Sequence, residues 1–223
     1  MQILIRTSNI HISIAGNLII PSNRTNSIVL FAHGSGSGKS SPRNRIVSEL
    51  LNKADIATLM LDLLTADEEK EDNQTRKYRF NIPLLSDRLI SSVDYLKNLN
   101  KDTKDLCVGI FGSSTGAAAS LIVAEKRRNF VKALVSRGGR VDMATKYCEF
   151  ENIRTPSLFI VGHKDQETIK VNKNIFEKLR NIEDGKKRII IIPGASHLFD
   201  EPGKVEQVAR LTASWFSTYL KNH

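Results

Sequence analysis

Residues 106–119 read LCVGIFGSSTGAAA, and this stretch decides more of the fold than any other. Its apolar, β-branched start reads as a strand buried on both faces. Gly112-Ser113-Ser114-Thr115-Gly116 follows, and Ala117, Ala118 and Ala119 open a helical pattern. Strand, G-x-S-x-G and helix in that order make a turn sharp enough to strain its central serine and lift the hydroxyl clear of the chain. Small residues two places before and after that serine let strand and helix meet without collision. The same glycines would also suit plain strand–helix packing, so the pentad needs partners elsewhere.

A serine hydroxyl attacks only when a histidine can take its proton, and that histidine needs an acid to orient it. After such an elbow the acid comes first in the chain and the histidine second. Of the five histidines, His11 sits in a leading hairpin, His33 precedes the first helix and His223 is the last residue. His163 lies two residues from Asp165 and would face the opposite side of an extended segment. His197, in IIIIPGASHLFDEPG, falls just past the last apolar strand. Two acids follow strands in the interval, Asp142 after VSRGGRV and Asp165 after LFIVGHK. Asp165 is favoured, because it is nearer its strand end and its intervals to Ser114 and His197 each suit one strand–helix unit. Asp142 stays open as the alternative.

Outward from the elbow the pattern is regular. QILIRTS and HISIAGNLIIP alternate apolar and polar residues and predict a half-exposed antiparallel pair. From there SIVLFAH, ATLMLDL, LCVGIF, VKALVS, SLFIVG and RIIIIP read as buried strands. Between and after them PRNRIVSELLNKA, LLSDRLISSVDYLKNL, TGAAASLIVAEKRR, TIKVNKNIFEKLR and VEQVARLTASWFSTYL read as helices. The expectation is an α/β fold over residues 1–223 as a single domain, with a mostly parallel central sheet of about eight strands and helices on both faces. Ligands then belong at the carboxyl ends of the strands, the rim that every strand-following loop reaches. The residues from Gly138 to Pro156 are too few for a cap domain. The charged, poorly patterned stretch 64–82 is expected to be a mobile lid or a solvated loop.

Residues 28–42, IVLFAHGSGSGKSSP, invite a different reading as a phosphate-binding loop. That motif needs Gly, four residues, then Gly-Lys-Ser/Thr, and the position five before Gly38 is His33. The loop is one residue short. Ser41 and Pro42 also read as a cap and a first helical residue, so the helix starts too late to point its N-terminus at a phosphate. Lys39 is then expected to be a solvated charge. A nucleotide-binding protein built on residues 34–40 survives only as a weaker alternative.

Composition narrows the class. The 223 residues are 40% hydrophobic, and neither a signal peptide nor a membrane-length apolar run is visible, which leaves the cytoplasm as the default. Cys107 and Cys148 make neither a disulfide framework nor a metal site, and neither metal nor cofactor is expected. The net charge of +9 is spread over helix ends without interleaved aromatics, which argues against nucleic acid and membrane partners. A small-molecule substrate is expected, and a homodimer is compatible with this chain.

VLFAHGSGSGKSSPRNR, RFNIPLL, GIFGSSTGAAASL, VSRGGRVD, TPSLFIVGHKD and PGASHLFDEPG together resemble the dienelactone hydrolase-like branch of the α/β-hydrolases. More narrowly, they resemble the hydrolase module that some relatives carry fused to a phosphoribosyltransferase. The resemblance covers almost the whole chain. It implies Ser114, Asp165 and His197 as a catalytic triad, with the backbone N–H groups of Ser35 and Thr115 as oxyanion donors. It implies a serine hydrolase acting on an ester, lactone or thioester through an acyl-enzyme. Dienelactone hydrolases proper carry a cysteine where this chain has Ser114, and no phosphoribosyltransferase segment is recognisable here. A non-catalytic binding module on the same fold is the other alternative. At the rim, Arg43, Arg45, Arg137 and Arg140 suggest a site for an anionic substrate. The competing expectation is that they pair with local acids such as Asp62 or Asp142.

Overall fold

Alternation along a single strand shows how the core is divided. Ile28, Leu30 and Ala32 of β3 (Ser27–Ala32) enter one hydrophobic cluster, and Val29 and Phe31 enter another. All six residues are buried, so helices must cover both faces, as the continuous apolar run requires. The computed structural model describes residues 1–9, 11–22 and 25–220, and His223 lies outside them.

The other strands are β1 (Gln2–Arg6), β2 (Ser13–Ile19), β4 (Ala57–Leu61), β5 (Cys107–Ser113), β6 (Val131–Arg137), β7 (Ser157–Gly162) and β8 (Lys187–Ile192). They form an eight-stranded sheet in the order β1-β2-β4-β3-β5-β6-β7-β8. β2 runs antiparallel to β1 and to β4, and the remaining pairs are parallel. The chain winds one way from β3 to β4 and the other way from β5 onward. That reversal opens a crevice at the carboxyl ends of β3 and β5, where ligands of open α/β sheets bind.

The helices are α1 (Pro42–Lys53), α2 (Ala66–Thr75), α3 (Ile82–Asp94), α4 (Thr115–Lys126), α5 (Gln166–Lys178) and α6 (Lys204–Leu220). Val47 and Leu51 of α1 share a core with Val208 and Phe216 of α6. Leu89 of α3, Ile122 of α4 and Ile175 of α5 line the opposite face. Helix α1 begins as its sequence suggests, with Ser41 capping the Asn44 N–H (3.4 Å) and Pro42 in the first turn. Helix α3 gives way to a wide π turn at Tyr95–Leu99, so its expected last turn is not α-helical.

The stretch 64–82 is neither a bare loop nor unpatterned. Thr65 and Glu68 form a reciprocal capping box that starts α2. Arg88 of α3, 1% exposed, pairs with both Glu68 oxygens (2.6 and 2.5 Å) and with the Leu63 carbonyl (2.6 Å). At the far end, buried Asp72 accepts the N–H groups of Tyr78 (2.7 Å) and Arg79 (2.9 Å) and the Arg79 Nε (2.6 Å). Asp72 is the one buried residue of α2, so the helix is held by charges and carries no apolar stripe. Periodicity was therefore blind to it. No separate cap domain is present among the described residues, and none of their helices is long and apolar enough to cross a membrane.

Candidate active site

Ser114 stands between β5 and α4 at φ 48°, ψ −118°. A non-glycine residue there carries backbone strain of about 1–3 kcal/mol, which the surroundings must enforce. They do so by close approach. A Cβ on Gly112 would lie 2.6 Å from the Ala117 Cα, and one on Gly116 would lie 2.2 Å from the Ala32 carbonyl oxygen. Both contacts are with backbone, so neither position admits another residue without displacing strand against helix. The Ser114 N–H donates to the Arg137 carbonyl (3.2 Å), and the Ser114 carbonyl accepts from the Arg140 N–H (3.0 Å). The turn after β6 thus braces the serine.

That same turn seats the histidine. Gly138, at φ 53°, presents a bare Cα toward His197, whose Cε1 and Nδ1 lie 3.5 and 3.6 Å from where a Cβ would stand. His197 Nδ1 lies 2.5 Å from Asp165 Oδ2, and the two side chains are 38% and 14% exposed. Asp165 also caps α5, its Oδ1 accepting from the Thr168 N–H (3.3 Å). Burial acts to raise the Asp165 carboxyl, but the bonds from Thr168 and His197 outweigh it and hold it below its ordinary value. The carboxylate form is the one that accepts a proton-bearing Nδ1 and leaves Nε2 free to receive another. Behind the histidine, Glu201 accepts the Ser196 N–H at 3.0 Å on each oxygen and pairs with Lys164 (3.2 Å). The Ser196 bond is the main cause that holds its carboxyl down at about 2.

The alternatives separate from this cluster. Asp142 is engaged by Arg140 through two bonds (3.1 and 2.9 Å), and His163 and His11 are exposed. Asp165 is the acid that meets His197.

On the other side of Ser114 lies the loop after β3. A Cβ on Gly34 would come within 2.8 Å of the Ser114 Cβ, so the loop passes against the elbow. Ser35 Oγ stands 3.4 Å from Thr115 Oγ1, so the two residues whose N–H groups are the candidate oxyanion donors lie side by side. Neither the Ser35 nor the Thr115 N–H is used by another hydrogen bond among the described residues. His33 fixes the loop. Its Nε2 accepts the Leu63 N–H (2.9 Å), so the ring proton sits on Nδ1 and donates to the Gly34 carbonyl (2.8 Å). Burial lowers the His33 pKa and keeps the ring neutral. The phosphate-loop resemblance resolves in the same segment. Lys39 is not a solvated charge, because its backbone N–H (2.7 Å) and its ammonium both bind Asp62 at the end of β4.

Beside the Ser35–Thr115 pair lies a cavity of about 20 Å³, bordered by Leu64, Glu69, Leu85 and Arg79. That is room enough for a water-sized group. Arg79, which the sequence did not single out, has Nε and Nη2 occupied by Asp72 and Asn73, and its Nη1 lies 4.0 Å from the Cβ position of Gly36. The four rim arginines do not converge. Arg140 is paired with Asp142 and Arg43 with Asp200 (2.8 Å), while Arg45 is exposed on α1. Arg137 is buried without a hydrogen-bonded partner. Among the described residues no group of three or more His, Cys, Asp or Glu could hold a metal.

The alpha/beta hydrolase domain family matches residues 25–213. A dienelactone hydrolase of Anabaena variabilis is 46% identical, with a TM-score of 0.91 over 99% of this chain and 97% of that one. Est1E of Butyrivibrio proteoclasticus, at 16% identity, superposes with a TM-score of 0.76 over 97% and 98% of the two chains, a likeness of fold alone. A Mycobacterium tuberculosis protein named for phosphoribosyl transfer is 44% identical over 94% of this chain. The chain spans only 44% of that relative's length, which fits the resemblance to a fused hydrolase module. The chain belongs to the α/β-hydrolase family, in its dienelactone hydrolase-like branch.

Proposed function

We propose that the protein is a serine hydrolase that cleaves an ester, lactone or thioester of a small substrate. The observation that carries this reading is the Asp165–His197 contact of 2.5 Å, in a protein whose strand–helix elbow holds Ser114 at positive φ. His197 Nε2 takes the proton of Ser114 as Oγ bonds to the carbonyl carbon, and Asp165 stabilises the imidazolium without itself being protonated. The carbonyl oxygen, now an oxyanion, receives the N–H groups of Ser35 and Thr115 at the positive end of α4. Collapse expels the alcohol or thiol, which takes the proton from His197 and leaves an acyl ester on Ser114. Water, deprotonated by His197, then releases the acid and restores the serine.

The Nη1 edge of Arg79 in the pocket beside Ser35 and Thr115 suits an acyl group that carries a carboxylate. The 46% identity to a protein named as a dienelactone hydrolase supports hydrolysis. A fluorophosphonate probe tests the reading directly. The wild type is expected to be labelled and Ser114→Ala is not. Labelling that persists in the variant removes Ser114 as nucleophile, and a wild type that resists labelling leaves a binding module.

A further inference from the structure

Arg137 ends β6, in register with Ser113 of β5. Ser113 Oγ reaches Asn44 of α1 (3.5 Å), so the two neighbouring side chains face α1 and α6, on the other side of the sheet from α4. The Arg137 guanidinium is 8% exposed and lies 5.9 Å from the centroid of the Phe199 ring. Its Nε and Nη1 have neither solvent nor a hydrogen-bonded partner. Buried charged donors are ordinarily satisfied, because an unpaired one carries its full desolvation penalty. The two charges that act on Arg137 are Arg43 and Asp200. Arg43 spends one nitrogen on Asp200, and its own Nε is buried and unpartnered too. Two guanidinium groups therefore face one carboxylate that is itself 55% exposed. Burial, with Arg43 second, lowers the Arg137 pKa to about 10, so the group is still a cation at neutral pH.

We propose that Arg137 and Arg43 form a subsite for one small oxyanion, a carboxylate or phosphate group, between the His197 loop and the first turn of α1. Three buried donors without partners, Arg137 Nε and Nη1 and Arg43 Nε, belong to two guanidinium groups near enough to act on one another, and planar forks of this kind recognise such anions. The subsite adjoins the reacting serine through the backbone, since the Arg137 carbonyl holds the Ser114 N–H and Phe199 follows His197 by two residues. Its occupant is either the acid group of the substrate or a free anion beside it. The kinetic consequence rests on the serine hydrolase reading, and the binding does not.

Titration with inorganic phosphate against chloride at matched ionic strength, read by thermal unfolding and calorimetry, tests the subsite. Phosphate is expected to stabilise the wild type and Ser114→Ala saturably. Arg43→Gln should weaken binding about tenfold, Arg137→Met should abolish it, and Arg45→Gln should leave it unchanged. If Arg137→Met does not fold, Arg43→Gln and Arg137→Lys decide the matter. A response no larger than that to chloride, or one indifferent to both Arg43 and Arg137, overturns the proposal. With turnover in hand, phosphate that competes with the 4-nitrophenyl monoester of succinate but not with 4-nitrophenyl acetate assigns the site to the substrate's acid. Equal effects on both esters assign it to a free anion. Phosphate binding by a wild type that hydrolyses nothing leaves the subsite standing and removes the hydrolase reading.

Discussion

Replacing His33 by phenylalanine should damage catalysis through a peptide plane and not through any contact with substrate. The ring is 7% exposed and joins two segments, the Leu63 N–H and the Gly34 carbonyl. Phenylalanine fills a similar volume and supports neither bond. Leu63 is fully buried, so its N–H finds no water, and one such orphan costs about 1–3 kcal/mol. The Gly34–Ser35 peptide is trans, which sets its carbonyl and its N–H in opposite directions. With the carbonyl held by His33, the direction of the Ser35 N–H is fixed as well, and Gly36 at φ 65° leaves the loop free to rotate once that hold is gone. Losing one oxyanion donor costs about 2.7–4 kcal/mol, or about 10²–10³ in kcat, which sets the ceiling.

The assay is steady-state kinetics on 4-nitrophenyl acetate beside urea unfolding, at a temperature where the variant stays folded. Most of the loss should fall on kcat with KM nearly unchanged, as for an interaction made only in the transition state. His33→Gln can still accept from Leu63 and donate to Gly34, and should recover part of kcat. A His33→Phe enzyme that is less stable yet keeps kcat within about twofold refutes the argument, because the histidine would then serve folding alone.

Other perturbations test neighbouring links. Asp165→Asn keeps an N-cap for α5 and so should retain stability, while kcat falls by about 10⁴ because the imidazole loses its correct tautomer; a small drop in kcat would hand the acid's role elsewhere. Gly116→Ala drives a methyl into the Ala32 carbonyl and should cost about 3 kcal/mol or more, read as lost soluble yield or a lowered Tm. Arg88→Met strands Glu68 and the Leu63 carbonyl, and should cost about 3–5 kcal/mol or release α2 to proteolysis within residues 66–75. The lowered pKa of His33 means that the unfolded chain binds the extra proton first. Stability should therefore be full above about pH 6.5 and decline as the pH falls below it, and His33→Gln should flatten that part of the curve.

The parts of the fold legible in the sequence share one property, that burial alone dictates them. β3, β5 and β7 are buried along their whole length or nearly so, and each announced itself as an unbroken apolar run. The elbow at Ser114 and the Asp165–His197 pair were legible because strand-end loops must reach one rim, which limits the choice to a few residues. What escaped was held by polarity across long intervals. Arg43 meets Asp200 from 157 residues away, and Arg88 meets Glu68 from 20. No local pattern separates those arginines from Arg45, which is exposed, or from Arg137, which is buried. Helix α2 did carry a readable start in Thr65-Ala66-Asp67-Glu68, but without an apolar stripe that capping box had no helix to introduce. The glycine pair in VSRGGR carries no periodic signal, although a Cβ on Gly138 would stand 3.2 Å from the His197 carbonyl oxygen and 3.5 Å from its ring.

The loop of residues 33–41 shows why a motif's chemistry depends on what already occupies its donors. In a phosphate loop the backbone N–H groups and the lysine close on an anion supplied by the ligand. Here the anion is supplied by the protein. Asp62, at the end of the neighbouring strand, takes both the Lys39 N–H and the Lys39 ammonium, and a Cβ on Gly38 would meet its Oδ1 at 2.7 Å. One end of the loop is thereby tied to β4, and His33 ties the other end to Leu63 just beyond β4. Between those two anchors Gly36 stands at φ 65°, and Ser35 lies beside Thr115. A loop rich in glycine and serine is thus tied at both ends to the neighbouring strand by the protein's own groups. Its lysine, the residue a phosphate loop turns on its ligand, is already engaged by Asp62.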